Sequence, residues 1–249
     1  MKNVLFFLCL IIGFSACSIY EDVYFQKNGS VKYEMSIDGS EVLTMMPDFE
    51  MKMPDNMPVD SVISIVDVLR DSISNITPEI EQDLNNIEPF FLRIESDVAN
   101  RKLNISVFGD FKDTDALNSA FTSLGNLQEA QKKDSQDKPS MSFFQVDGGA
   151  QLFWDGKVMK RTIRDKDNVT DEAEESEESL GENPDDMFSK FFSQGKMVVK
   201  YHFPSEVEKI SNPNAVMTQD RKTVIIEYSG SSFISPKKEE LDIEVKTKR

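Results

Sequence analysis

The chain has the sequence NGSVKYEMSID from Asn28 to Asp38, and this stretch predicts a strand with one buried face. Apolar and polar residues alternate along it, and the apolar set is Val31, Tyr33, Met35 and Ile37. Such alternation is typical of an antiparallel strand whose other face meets water. Because Asn-Gly favours a type I′ turn, we expect residues 23–26 to pair with this strand as a hairpin.

Further apolar runs bounded by turn residues predict the other strands, at residues 90–98, 102–111, 141–146, 151–154, 157–164, 196–203, 223–228 and 241–245. Apolar residues at three- and four-residue spacing predict helices at 60–74, at 78–87, from Asp113 or Thr114 to Gly125, and at 184–195. Asp60 is the expected N-cap of the first of these helices.

These elements predict an α+β fold, in which a large, mainly antiparallel sheet of nine or ten strands carries about three helices. Residues 30–164 would form the main body, and residues 184–249 would add a helix and strands that complete the same sheet. Residues 165–183 between them are crowded with glutamates and hold scarcely an apolar residue, which predicts a disordered acidic insertion. An arrangement in two sub-domains is the alternative.

The start of the chain has the layout of a secretory signal, which we place at residues 1–16. Lys2 precedes an apolar run over residues 4–14, and the small residues Ser15 and Ala16 follow. This run is shorter than the roughly 20 residues that a helix needs to span a bilayer. A positive start, an apolar middle and small residues at the cut are the three features of an export signal.

Ser15-Ala16-Cys17 resembles the lipobox of bacterial lipoproteins. The resemblance implies cleavage after Ala16 and lipidation of Cys17, which would carry acyl chains such as palmitate and hold the protein in the outer membrane of a cell envelope. Stable anchoring requires more than one chain, as lipoproteins have. The alternative is an ordinary secretory signal in which Cys17 is incidental.

Residues 17–29 are then expected to form the lipidated N-terminus and a tether. The acidic pair Glu21-Asp22 in this segment resembles the export tag of surface lipoproteins in Bacteroidetes-type bacteria, and a merely solvated tether is the alternative reading. The chain has two cysteines, and Cys9 would leave with the signal. With Cys17 acylated, no intrachain disulfide can form, so the core must supply the stability.

The acidic composition argues against one class of partner. The formal net charge is −16 and the sequence pI is about 4.5. Because nucleic-acid binding requires a basic surface to meet the phosphates, we expect no nucleic-acid partner.

Two short patterns in the body resemble other envelope proteins. Phe153-Trp154-Asp155-Gly156-Lys157 is similar to a hairpin of the LolA-like lipoprotein carriers, and Phe203-Pro204-x-x-Val207 with Asp220-x-x-Thr223-Val224 resembles a strand pair of LppM-like envelope lipoproteins. The LolA-like fold implies a curved sheet that holds acyl chains against helices. An apolar or lipidic ligand between sheet and helices is therefore the ligand that these resemblances imply.

No catalytic motif is apparent in the sequence, so we predict that the protein is not an enzyme and needs no cofactor. His202, the single histidine, lies on an alternating strand, where a surface or packed position is expected. Residues 45–58 mix methionines with prolines and are interpreted as a core-edge loop, an apolar ligand rim or a soft-metal site, in falling order. No metal site is predicted.

These observations predict an envelope lipoprotein with a non-catalytic binding role, for an apolar or lipidic ligand or for an envelope protein. The alternative is a surface-exposed interaction or assembly subunit without a ligand cavity. The sequence identifies no ligand-binding residues.

Overall fold

The computed structural model describes residues 18–40, 60–97, 100–134, 150–163, 195–230 and 242–248. In chain order the strands are β1 Ser18–Phe25, β2 Val31–Asp38, β3 Asp60–Ser64, β4 Phe90–Asp97, β5 Lys102–Phe111, β6 Ala150–Trp154, β7 Val158–Ile163, β8 Lys196–His202, β9 Val207–Ile210, β10 Val216–Met217, β11 Thr223–Ser229 and β12 Ile243–Thr247. The helices are α1 Ile65–Ser72, α2 Pro78–Asn86 and α3 Thr114–Asp134. The predicted α+β class is confirmed.

The strands form two sheets rather than the single sheet that the sequence predicts. The large sheet has eight strands in the order β10-β11-β8-β1-β2-β5-β4-β3, and the small sheet has four in the order β6-β7-β12-β9. Every neighbouring pair of strands is antiparallel except β1 and β8, which are parallel. The C-terminal strands thus divide between both sheets, because β8, β10 and β11 extend the large sheet while β9 and β12 pair in the small one.

The small sheet covers one part of the large sheet, and the helices cover another. Trp154 of the small sheet lies with its ring centroid 5.1 Å from that of Phe25 and 5.6 Å from that of Phe203. Its indole N–H donates to the Gln26 carbonyl at 3.3 Å. One face of the large sheet is thereby buried in a continuous apolar core. Within the described residues, the side chains of its other face, which we call the open face, are mostly half-buried or exposed over the central strands.

Residues 18–25 are not a tether. They form β1, which lies in the middle of the large sheet between β8 and β2. Ser18, the first residue, already aligns with Lys196 of β8, and Ile19 aligns with Ile37 of β2. The prediction failed because the partner strand β8 is remote in sequence, and a pairing of that kind leaves no local signal.

The predicted hairpin of β1 and β2 is confirmed, but its turn differs. The Gly29 N–H donates to the Gln26 carbonyl at 3.1 Å, and the Gln26 N–H donates to the Ser30 carbonyl at 2.9 Å. Only the glycine has positive φ in this turn, at 90°. A type I turn followed by a glycine bulge therefore replaces the type I′ turn, which requires two positive-φ residues.

The helix predicted over residues 60–74 is wrong in its first part. Residues 60–64 form the edge strand β3, paired with β4, and the helix begins only at Ile65. Asp60 does not cap a helix, because its carboxylate accepts two hydrogen bonds from Arg93 at 3.0 and 2.9 Å. The sheet ladder here overrides the helical spacing of the apolar residues.

The other two described helices are close to their predictions. α2 begins at Pro78 as expected, and the Thr77 hydroxyl accepts from the Ile80 N–H at 3.3 Å as an N-cap. α3 continues past Gly125, the expected end, because Leu127, Gln128 and Gln131 beyond it are buried. The predicted strand at 141–146, the helix at 184–195, the methionine-rich stretch at 45–58 and the acidic insertion at 165–183 lie outside the described residues.

Candidate functional site

The two residues that the sequence assigns to membrane attachment, Ala16 and Cys17, lie outside the described residues. The structure does place the residue that follows them. Ser18, the first described residue, belongs to β1, so the sheet includes the residue directly after the predicted lipidated cysteine.

The acidic pair of β1 is divided between the two faces of the large sheet. Because successive side chains of a strand point to opposite faces, Glu21 enters the core, where it is 1% exposed, and Asp22 lies on the open face. Both carboxylates have partners in the folded domain. The alternation could have been read from the sequence, but the partners could not, since they come from strands that are distant in the chain.

Glu21 forms an ion pair that joins the two sheets. Its Oε2 lies 2.7 Å from Nη1 of Arg161 on β7, and the two side chains are 2% and 3% exposed. The same Nη1 donates to the Tyr201 hydroxyl on β8 at 2.9 Å. The cluster therefore bridges the large and small sheets in a region that water does not reach. Arg161 could not be singled out from the sequence, since a lone arginine on a strand gives no signal of burial.

Two tyrosines in this cluster are shifted toward their neutral form. Burial raises the pKa of Tyr228 to about 12, while the positive charge of Arg161 opposes the shift and the negative charge of Glu21 adds to it. Burial likewise raises the pKa of Tyr201 well above its usual value, with the same opposing and supporting charges. The site holds one pair of opposite charges and disfavours a further negative charge.

Replacing Tyr228 with phenylalanine is expected to weaken the alkaline destabilisation of the protein. A raised pKa contributes stability that is fully present below the ordinary value of 10.0 and is lost as the pH rises through the folded value of about 12. The free energy of unfolding of the variant, followed by urea denaturation across this range, should therefore fall less steeply than that of the wild type. Identical slopes for the two proteins would contradict the prediction.

On the open face, Asp22 belongs to a second cluster centred on His202. The imidazole Nε2 lies 2.7 Å from Asp22 Oδ1, and Nδ1 lies 3.1 Å from the Thr223 hydroxyl. The ring also stacks on Tyr24, with centroids 4.1 Å apart and planes 7° apart. The strand register creates this arrangement, because β8 aligns His202 with Tyr24 on one side and with Thr223 on the other. The expectation of a surface or packed histidine did not anticipate these partners.

A carboxylate, an imidazole and a hydroxyl in one hydrogen-bonded chain are the elements of a proton relay. Nucleophilic catalysis also requires donors for a developing oxyanion. The nearest backbone donor to the hydroxyl in sequence, the Thr223 N–H, is already bonded to the Thr218 hydroxyl at 3.1 Å. Among the described residues, Asp22, His202 and Thr223 thus form a half-buried hydrogen-bonded cluster on this face of the sheet. A shallow hollow of about 460 Å³ lies beside it, lined by Thr218, Gln219, Asp220 and Thr223.

Lysines also contact the aromatic side chains of the open face. Lys200 Nζ lies 5.6 Å from the ring centroid of Tyr20, and Lys32 Nζ lies 5.9 Å from that of Tyr24. Both separations are within the range of a cation–π contact. Nearer the β3 edge, Phe91 and Phe108 stack at 5.9 Å, and Phe91 is 39% exposed. This face thus presents aromatic rings together with charges of both signs.

Within the described residues, no group of three or more histidine, cysteine, aspartate and glutamate side chains is placed to hold a metal ion. Among the helices of the same residues, none is both long and apolar enough to cross a membrane.

The fold defines the class of the protein as an α+β domain of two β-sheets with helices packed on the larger one. No family model matches the chain, and no curated protein matches it. Among solved structures, the folded domain of the Mycobacterium tuberculosis LppM protein is similar over 96% of this chain and 94% of that chain, with 7% identity and a TM-score of 0.36. The Fcho1 Mu homology domain of Danio rerio, solved with a bound peptide, matches over 93% of this chain and 79% of that chain, with 10% identity and a TM-score of 0.14.

At these TM-scores, neither likeness carries an argument about fold or function.

Proposed function

We propose that this protein is a lipoprotein of a bacterial cell envelope, held in the outer membrane by acyl chains on Cys17, with a non-catalytic binding role. The observation that carries the proposal is the position of β1. Ser18, the residue directly after the lipobox-like Ser15-Ala16-Cys17, belongs to β1 and aligns with Lys196 of β8. A chain cleaved after Ala16 would therefore keep every residue of this central strand, which supports the proposal.

The packing of the core supports a role exerted from the surface of the domain. In the described part of the chain, the layer between the large sheet and the helices is filled with side chains. Tyr33 and Phe90 of the sheet have ring centroids 6.1 Å apart, and Phe121 of α3 lies 5.0 Å from Tyr33. Tyr33 and Phe90 are 1% and 0% exposed. We therefore propose an interaction or assembly subunit, rather than a carrier that encloses a lipid between sheet and helices.

Replacing Cys17 with alanine is expected to abolish membrane attachment. In the wild type, the N-terminal peptide should begin at Cys17 and carry added acyl mass, since more than one acyl chain is needed for stable anchoring. The variant should lose that mass and leave the membrane fraction. Mass spectrometry of the N-terminal peptide, together with membrane fractionation, measures both effects.

Cys9→Ala is the matched control, because it removes the other cysteine of the chain from within the predicted signal. This control should leave acylation and membrane retention unchanged. A wild-type peptide that carries a free cysteine, or that starts at another residue, would overturn the anchor.

The binding role has a separate test, in organic extraction of the purified Cys17→Ala protein. We expect no acyl species to be released from the folded domain. Lipids that co-purify with it in stoichiometric amounts would overturn the surface role and restore the enclosed apolar ligand.

A further inference from the structure

We infer that one end of the two-sheet domain rests directly on the lipid headgroups, and the inference rests on the anchor proposed at Cys17. We call this the Ser18 end, and define it by the strand residues Ser18, Asp38, Asp97, Lys102, Lys196 and Ser229. The opposite, or Gln26, end is defined by the turn 26–30 and by the hairpin tip at Asp155-Gly156.

No spacer separates the proposed anchor at Cys17 from the sheet. Ser18 is already part of β1, and it is aligned with Lys196 of the neighbouring strand. Consecutive Cα atoms are about 3.8 Å apart, so the sheet begins within about 4 Å of the residue that would carry the acyl chains. A lipoprotein domain on a long tether can stand away from its membrane, whereas this connection is too short for that.

Because β1 lies in the middle of the large sheet, the ends of the neighbouring strands lie beside Ser18 and at a similar distance from the anchor. The register aligns Asp38 of β2 with Asn104 of β5, and Lys102 of β5 with Asp97 of β4. Strands are about 4.8 Å apart, so Lys102 lies roughly 10 Å from β1 across the sheet. An anchor at an edge strand would let the domain tilt away, but an anchor in the middle of eight strands holds a broad end of the sheet toward the lipid.

The Gln26 end of the sheet lies far from the proposed anchor. β1 has eight residues, and a strand rises about 3.3 Å per residue, so the Gln26 end lies about 25 Å from Ser18, the residue next to the anchor. Lys27, exposed in the turn 26–30, marks this distal end. The two ends of the sheet should therefore differ strongly in their distance from the headgroups.

The described side chains of the Ser18 end are polar or charged, which fits contact with headgroups. Lys196 pairs with Glu227 at 3.5 Å, and Asp97 accepts from the Asn100 side chain at 2.7 Å. Lys102 is exposed. Because the described residues of this end carry both positive and negative charges, we expect the acyl anchor, rather than electrostatic attraction, to hold this end against the headgroups. The contact should accordingly persist at high salt, which screens exposed charges.

The test compares single-cysteine labels at the two ends of the full, lipidated protein. Lys102→Cys and Lys27→Cys make the same substitution at exposed positions, and the acylated Cys17 leaves each introduced thiol as the only free one. Each variant is labelled with a fluorophore and reconstituted into phosphatidylcholine vesicles that contain a lipid with a nitroxide on its headgroup. We expect several-fold stronger quenching at position 102 than at position 27, with no dependence on salt.

The outcomes separate this inference from the anchor itself. If both variants float with the vesicles and their labels are quenched equally weakly, the domain stands off the membrane and the inference is overturned while the anchor holds. If the protein carries no acyl mass and does not float with the vesicles, the proposed lipoprotein fails and the inference fails with it. Quenching that is stronger at position 27 would reverse the orientation, and so overturn the inference.

Discussion

Replacing Arg161 with methionine is expected to lower the free energy of unfolding by about 3–5 kcal/mol, the usual cost of removing one partner of a buried ion pair. The change leaves the Glu21 carboxylate inside the protein, 1% exposed and without its counter-charge. It also removes the donor that reaches the Tyr201 hydroxyl. Urea denaturation of the soluble Cys17→Ala background, followed by circular dichroism, measures the effect.

A matched surface variant separates burial from charge. Arg70 makes two hydrogen bonds to Glu81, both at 2.9 Å, but these side chains are 42% and 43% exposed. Arg70→Met makes the same substitution, and we expect it to change the free energy of unfolding little. Solvent screens an exposed ion pair and hydrates the carboxylate that is left. Equal effects of Arg161→Met and Arg70→Met would contradict the role assigned to burial.

The double variant Glu21→Leu/Arg161→Met tests whether the unpaired Glu21 carboxylate causes the loss of stability in Arg161→Met. Replacing both members of a buried pair with apolar residues is often neutral or stabilising, since no charge remains to be desolvated. We expect this variant to regain most of the stability that Arg161→Met loses. A loss as large as that of the single variant would show that packing at Arg161, rather than the unpaired carboxylate, is responsible.

Replacing Phe90 with alanine is expected to cost about 3–5 kcal/mol of unfolding free energy, as for other large aromatic residues deleted from a core. The Phe90 side chain is fully buried between the large sheet and the helices. Its ring makes an edge contact with Phe111, whose centroid is 4.9 Å away, and it lies 5.8 Å from that of Phe121. Denaturant unfolding of the same soluble background measures the loss.

The neighbouring Phe91 is the matched control, since it is the same residue type in the same strand on the opposite face. It is 39% exposed, and its ring stacks on that of Phe108 with centroids 5.9 Å apart. Phe91→Ala should therefore cost much less than Phe90→Ala. If the costs were similar, the assignment of a buried and an open face to β4 would be wrong.

Local sequence determined the elements whose signals lie within one turn or one strand. The alternation of β2 and the Asn28-Gly29 pair predicted the first hairpin, and Pro78 marked the start of α2. Alternation also predicted which side of β2 is apolar, because the period of two is a property of a single strand. These predictions required no knowledge of a distant partner. The lipobox at Cys17 belongs with them as a short linear pattern, although its function stays a prediction.

Only the tertiary structure decided which strands pair when they are far apart in the chain, and what their polar residues contact. The sequence gives β1 no local sign of a parallel partner, yet its pairing with β8 converts the expected tether into the centre of a sheet. The same pairing brings His202 to Asp22, while the packing of the small sheet brings Arg161 to Glu21. The physical reason is that these contacts join residues far apart in the chain. Their free energy comes from burying two surfaces together, and neither surface is visible in the residues of one strand alone.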